Sequence, residues 1–222
     1  MGLEAVRLAQ ELKHPYSVLS ACWRLGYLHC VQGEFRDAIE LLRRGLSIIE
    51  EWNLTLWSEV IKGFLGYAYT CSGRATDGIR LMEPVLGEFT GGQAFRSVLM
   101  IRLGEAYLLQ HRVDHARDVA HRGVTLAGTS GQRGFEAWGR RLLAQVELAS
   151  DPPAPDRAET YGRQALDSAA ELGMRPLIAH CNVVLGEIEL MHGRSARADE
   201  HFVTAERMFR ELGMRSTRGG RP

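Results

Sequence analysis

Glu171-Leu172-Gly173-Met174-Arg175 recurs forty residues later as Glu211-Leu212-Gly213-Met214-Arg215. A repeat of that length directs attention to helical arrays. A Leu-small pair keeps the same beat. It stands as Leu25-Gly26, Leu65-Gly66, Leu103-Gly104, Leu143-Ala144 and Leu185-Gly186, with steps of 40, 38, 40 and 42 residues. Around each pair the apolar residues fall at helical spacing, and no stretch alternates as a strand would.

Each unit reads as two helices. Ser17 to Val31 carries one helical pattern, Gln32-Gly33 interrupts it, and Glu34 to Glu51 resumes it. Glycine suits the left-handed position just past a helix end. Later units break at Ser72-Gly73 and His192-Gly193, and the fourth at Asp151-Pro152-Pro153-Ala154-Pro155, where prolines forbid a continuous helix. Asn53 marks a turn between units. His111 occupies a turn position at which other units use glycine.

Packing supplies a third regularity. Twelve residues after each small position lies another, and seven further on a third. The sets are Gly26/Ala38/Gly45, Gly66/Gly78/Val85, Gly104/Ala116/Gly123, Ala144/Ala158/Ala165 and Gly186/Ala198/Ala205, the fourth with a two-residue allowance for the proline loop. Fourteen of these fifteen positions are Gly or Ala, although those two residues make up only about a fifth of the chain. Helices that approach to about 8 Å leave no room for a larger side chain where they cross.

These residues resemble the tetratricopeptide repeat family. The resemblance covers nearly the whole chain and implies an all-α solenoid of about eleven helices, wound as a right-handed superhelix. It divides the sequence into a half repeat at 1–14, full repeats at 15–53, 54–91, 92–131, 132–174 and 175–214, and a disordered tail at 216–222. The expected domain is thus one solenoid over 1–215. The pattern departs from the family in places. Cys22, Lys62, Met100, Arg140 and Asn182 stand where an aromatic is usual, the family's tyrosine survives only as Tyr69 and Tyr107, and the terminal proline is missing. The long period, and Glu-Leu-Gly-Met-Arg followed by Pro176-Leu177-Ile178-Ala179-His180, resemble the C-terminal repeats of bacterial signalling NTPases, including adenylate-cyclase-linked and LuxR-type regulators.

Composition closes off several function classes. The 222 residues carry 27 basic and 27 acidic side chains, so the formal charge is zero and nothing favours capture of nucleic acid or of an anionic membrane. No apolar run reaches the ~18 residues of a membrane span. The N-terminal residues carry neither a basic n-region nor an apolar core, so a cytoplasmic protein is expected. Arginine supplies nearly all the basic charge, with Lys13 and Lys62 the only lysines. That bias fits GC-rich coding and a bacterial source. Cys22, Cys30, Cys71 and Cys181 form no C-x-x-C pair and read as reduced, buried small hydrophobes.

Catalytic patterns are missing. Neither lysine follows a phosphate-loop glycine run, and no G-x-S-x-G elbow occurs. His111 and His115 are four apart, but His111 is a turn residue and no glutamate follows in an H-E-x-x-H pattern. His29, His180, His192 and His201 are scattered. The expectation is a non-enzymatic protein with no cofactor and no metal.

Function should then reside on the face of the first helices, which the resemblance places along a concave groove. Projection from the Leu-small pairs puts Trp23 and Tyr27 on it in the first unit, with Cys30. Tyr67 and Thr70 follow in the second, Glu105 in the third beside Ile101, Trp138, Arg141 and Gln145 in the fourth, and His180 and Glu187 in the fifth beside Val183. Aromatic and arginine side chains are usual interface anchors. The competing reading is that the Trp and Tyr rings pack as core. The carboxylate clamp of chaperone-binding relatives is absent, because its lysine positions hold Trp23, Gly63 and Ile101 and its asparagine positions Tyr27, Tyr67 and Glu105. The expected partner is a protein, as a peptide or helix in the groove. The alternative is a regulatory or sensor segment of a larger NTPase, cyclase or LuxR-type regulator, whose partner is its own catalytic domain. Neither end reads as a polar cap, which suits a fragment of a longer array or self-association through the ends.

Overall fold

A computed structural model describes residues 14–54, 57–88 and 93–215. The half repeat at 1–14, apart from His14, and the tail at 216–222 lie outside the described residues. Among the described residues there are ten helices and no strand. They are α1 (Pro15–Gln32), α2 (Phe35–Trp52), α3 (Ser58–Cys71), α4 (Ala75–Glu88), α5 (Gln93–Leu109), α6 (Val113–Thr129), α7 (Arg133–Leu148), α8 (Pro155–Glu171), α9 (Arg175–Met191) and α10 (Ser195–Glu211). The odd-numbered helices are the first helices of the five repeats. No described helix is long and apolar enough to cross a membrane. The chain forms two compact units, Met1–Phe95 and Arg96–Pro222, so the boundary falls inside α5.

The turns follow from backbone chemistry. Gly33, just past α1, has φ 81°, and Gly193, just past α9, has φ 73°. The same place in the third repeat is His111 at φ 55°, and Asn53 closes α2 at φ 51°. A left-handed residue lets the next amide reach back to a free helical carbonyl. Glu34 N donates to His29 O at 2.8 Å, Arg112 N to Tyr107 O at 2.9 Å and Arg194 N to Glu189 O at 2.8 Å. In the fourth repeat α7 ends at Leu148, and Pro155 opens α8 in the first turn, where its missing N–H costs nothing.

In the first unit α1 packs on α2, α2 on α3 and α3 on α4. A Cβ on Gly26 would lie 2.7 Å from Leu42 Cγ. The approach of α3 to α4 is closer still, since a Cβ on Gly78 would lie 2.5 Å from the Gly66 carbonyl oxygen. In the second unit a Cβ on Gly104 would meet Leu142 at 2.7 Å, and one on Gly186 would meet the Phe202 ring at 2.6 Å. All fifteen positions of the small-residue sets are buried, Val85 included. The hydrophobic cores form around these crossings. One joins Ala144, Ala158, Val184, Leu185 and Ile188 across α7, α8 and α9. Stacking supplies each repeat with the apolar cover it cannot provide alone. All four cysteines are unbridged and buried within these packings.

Candidate functional site

The first unit presents aromatic first helices. Trp23 of α1 stacks against Phe64 of α3 at 5.7 Å and Trp57 at 6.3 Å, and meets Phe95 edge-on at 5.7 Å. Tyr27 tilts on Phe64 at 5.0 Å, and Tyr16 meets Trp57 edge-on at 5.6 Å. Such edge and offset contacts are the favourable arrangements of ring quadrupoles. Arg24 lies 5.0 Å from the Trp23 ring centre. Trp23 therefore packs among rings, and its Nε1 is buried without a hydrogen-bond acceptor. Tyr27 and Tyr67 are half-buried. Thr70 differs from the sequence projection. It is 1 % exposed and donates to the Gly66 carbonyl at 3.0 Å, filling the space beside Gly78 at the α3–α4 crossing. Its hydroxyl is spent on its own helix, so it faces no partner.

The second unit gathers charge. Arg102 of α5, 1 % exposed, donates to both oxygens of Glu105 at 2.9 and 3.1 Å. Arg141 of α7 donates to the same carboxylate and, at 2.9 Å, to Gln145. Both guanidinium carbons lie near the Trp138 ring centre, at 4.7 and 5.1 Å, within cation–π range. Trp138 in turn touches His180 of α9 at 5.3 Å, and His180 touches Phe209 at 5.1 Å. Glu105, Trp138, Arg141, Gln145 and His180 thus form one connected system. Two buried cations share this carboxylate, and breaking a buried ion pair by removing one partner costs roughly 3–5 kcal/mol.

Titration is bent accordingly. Burial, then the charges of Arg141 and Arg102, hold His180 well below the ordinary histidine range, so it stays neutral. Burial raises the Glu187 carboxyl, with Arg141 opposing. Burial also pushes the Cys181 thiol up to about 12, which makes it an unreactive apolar filler. Trp138 and Arg141 are 8 and 7 % exposed, so they floor this face, whereas Glu105, Gln145, His180 and Glu187 are only partly buried.

No protein-family model matches the chain, and no curated protein does. Solved structures do. BtubC (BKLC) from P. vanneervenii superposes with a TM-score of 0.63 at 18 % identity, over 97 % of this chain and 89 % of that one. A putative kinesin light chain from Podosopora anserina, with nearly identical TPR-like repeats, gives 0.60 at 18 % identity over 90 and 97 %. The apo form of RapI gives 0.67 at 13 % identity over 95 and 82 %.

This chain has the TPR-like helical-repeat fold.

Fold alone names neither a function nor a target. Within the TPR-like repeats one further device recurs that the sequence projection did not foresee. The residue four after each Leu of the Leu-small pair touches a residue at the start of the next helix. Arg74 lies over Tyr69 at 4.3 Å and Arg112 over Tyr107 at 4.4 Å. Arg194 donates to the buried Glu189, Arg157 donates at 3.0 Å to the buried Glu147, and His29 bonds Glu34. Each pair ties the end of a first helix to the beginning of its second. Residues outside the projected faces also matter. Trp57 and Phe95 come from the N-terminal ends of α3 and α5, and Arg102 from a position beside the core leucine Leu103. Asn182 donates to Ile178 O at 2.9 Å and bonds His201 at 2.8 Å, joining α9 to α10.

Proposed function

We propose that the chain is a non-catalytic interaction scaffold, taking a peptide or helix of a partner protein on the faces of its first helices. The observation that carries this reading is the second unit's α5–α7–α9 face. There a buried floor of Trp138 and Arg141, backed by His180, supports the more open Glu105, Gln145 and Glu187. A preorganised mixture of aromatic, cationic and carboxyl groups can hold peptide amides and side chains with little loss of side-chain freedom on binding. Half-buried Tyr27 and Tyr67 offer the first unit's counterpart, with ring surface and a phenolic hydroxyl on each.

The test is selection of displayed peptides on the full chain, followed by variants that spare the floor. Gln145→Ala with Glu187→Ala, or separately Tyr27→Ala with Tyr67→Ala, should weaken the selected peptides at least tenfold while circular dichroism stays unchanged. Peptides that bind all variants as tightly as the parent would remove the first-helix faces as the site.

A further inference from the structure

We infer that the turn between α1 and α2 is a binding site for a divalent transition-metal ion, held by His29, Glu34 and Asp37. Each residue offers one donor atom, and the three atoms lie within 4.8 Å of one another. His29 lies in the last turn of α1, Glu34 caps α2, and Asp37 lies in its first turn, so two helix ends fix the three positions. Ligands on one zinc ion stand about 3–4 Å apart, given metal–donor bonds near 2.0–2.2 Å. His29 Nδ1 and Glu34 bond each other directly, so an ion seated between them replaces that hydrogen bond. One imidazole nitrogen and two carboxylates make a borderline donor set that suits zinc and its neighbours, with a fourth position left for water.

The repeat itself shows why a cation belongs there. Forty residues on, the equivalent positions are Tyr69, Arg74 and Asp77. Arg74 covers the Tyr69 ring and binds Asp77 at 2.7 Å, and Arg80 approaches the same carboxylate at 4.0 Å. The third and fifth turns also carry arginine, Arg112 and Arg194. In the first turn the aspartate is kept as Asp37, but Glu34 replaces the capping arginine and Glu40 replaces Arg80. Arg36 is Asp37's immediate neighbour, and adjacent residues on a helix do not face each other. A tie between helix ends needs only His29 and Glu34, and Asp37 holds the acidic first-turn place that Asp77 and Asp114 hold in the sibling helices. A metal ion uses all three and restores the positive charge that the sibling turns draw from arginine.

The experiment is zinc titration of the full, chelator-stripped chain against a chromophoric competitor, with Glu34→Arg, Asp37→Asn and His111→Gly/His115→Ala compared. Glu34→Arg installs the residue of the sibling turns, so the fold is expected to persist and circular dichroism verifies it. The inference expects saturable binding of one ion, weakened at least about tenfold by Glu34→Arg and by Asp37→Asn. Loss of the His111/His115 pair should leave binding unchanged, and zinc should raise the melting temperature of the parent but not of Glu34→Arg. No saturable binding, or parental affinity in Glu34→Arg, overturns it. So does binding that disappears with His111 and His115.

Discussion

At the scale of single residues, His180 shows how position fixes chemistry. It is packed between Trp138 and Phe209 and faces the charges of Arg141 and Arg102, so its folded state resists protonation. In the unfolded chain the imidazole titrates near its ordinary value of about 6.5. Between the depressed folded value and that ordinary one, the unfolded chain holds more protons, so stability rises with pH there. The contribution is complete above the ordinary value and is lost as pH falls below it. His201, lowered mainly by burial, acts with the same sign. Glu187 acts oppositely, because its raised folded value lets the native state hold the extra proton until pH climbs through it. Urea midpoints at pH 7.5 and 5.5 check this. The parent should lose stability on acidification, His180→Phe should lose less, and Glu187→Gln should lose more. His180→Phe with the parental loss would show that the histidine is not buried in its neutral form.

The sequence made part of this residue scale legible. Trp138, Arg141, Gln145, His180 and Glu187 are all found by counting from the Leu-small pairs, because helical period converts an offset into a face. Arg102 gives no such signal. An arginine beside Leu103 reads as a solvent residue, but in the fold the carboxylate of Glu105 and the Trp138 ring help make its burial tolerable. Thr70 misleads in the other direction. Its offset is that of a face residue, but a hydroxyl that bonds its own helix four residues back can be buried without penalty.

At the scale of elements, small residues set how closely helices cross, and the kind of atom opposite them sets the cost of change. At Gly78 an added Cβ meets the backbone oxygen of Gly66 and the Oγ1 of Thr70, and the backbone cannot swing aside. At Gly186 it meets side-chain atoms of the Phe202 ring rather than backbone. Gly78→Ala should therefore cost about 2 kcal/mol of unfolding free energy. Gly186→Ala should cost less than about 1 kcal/mol, since the better helix propensity of alanine offsets part of the strain. Chemical denaturation of the two variants measures the difference, and equal losses would contradict a backbone-limited α3–α4 crossing. Element ends were the most legible level. Gly33, Gly193 and Asn53 fall where left-handed residues close helices, and His111 does the same work without being glycine. The ties from first-helix end to second-helix start were not legible. Histidine, tyrosine and glutamate share one position there, and no residue-type pattern unites them.

At the scale of the molecule, the five repeats build two compact units, and each turns a different surface outward from its first helices. Rings predominate in the first unit and charges in the second. The repeat period foretold the stacked pairs because a two-helix unit with small residues at the crossing has one economical way to bury its apolar stripe. It did not foretell the division at Phe95, which depends on the sum of packing across many side chains rather than on any local pattern. If the first helices, and not the second, meet the partner, binding must register on the odd-numbered helices. Hydrogen exchange of the full chain with and without a selected peptide measures this directly. Slowed exchange is expected in α5, α7 and α9, or in α1 and α3, with α6, α8 and α10 unchanged. Protection confined to the second helices would contradict that expectation.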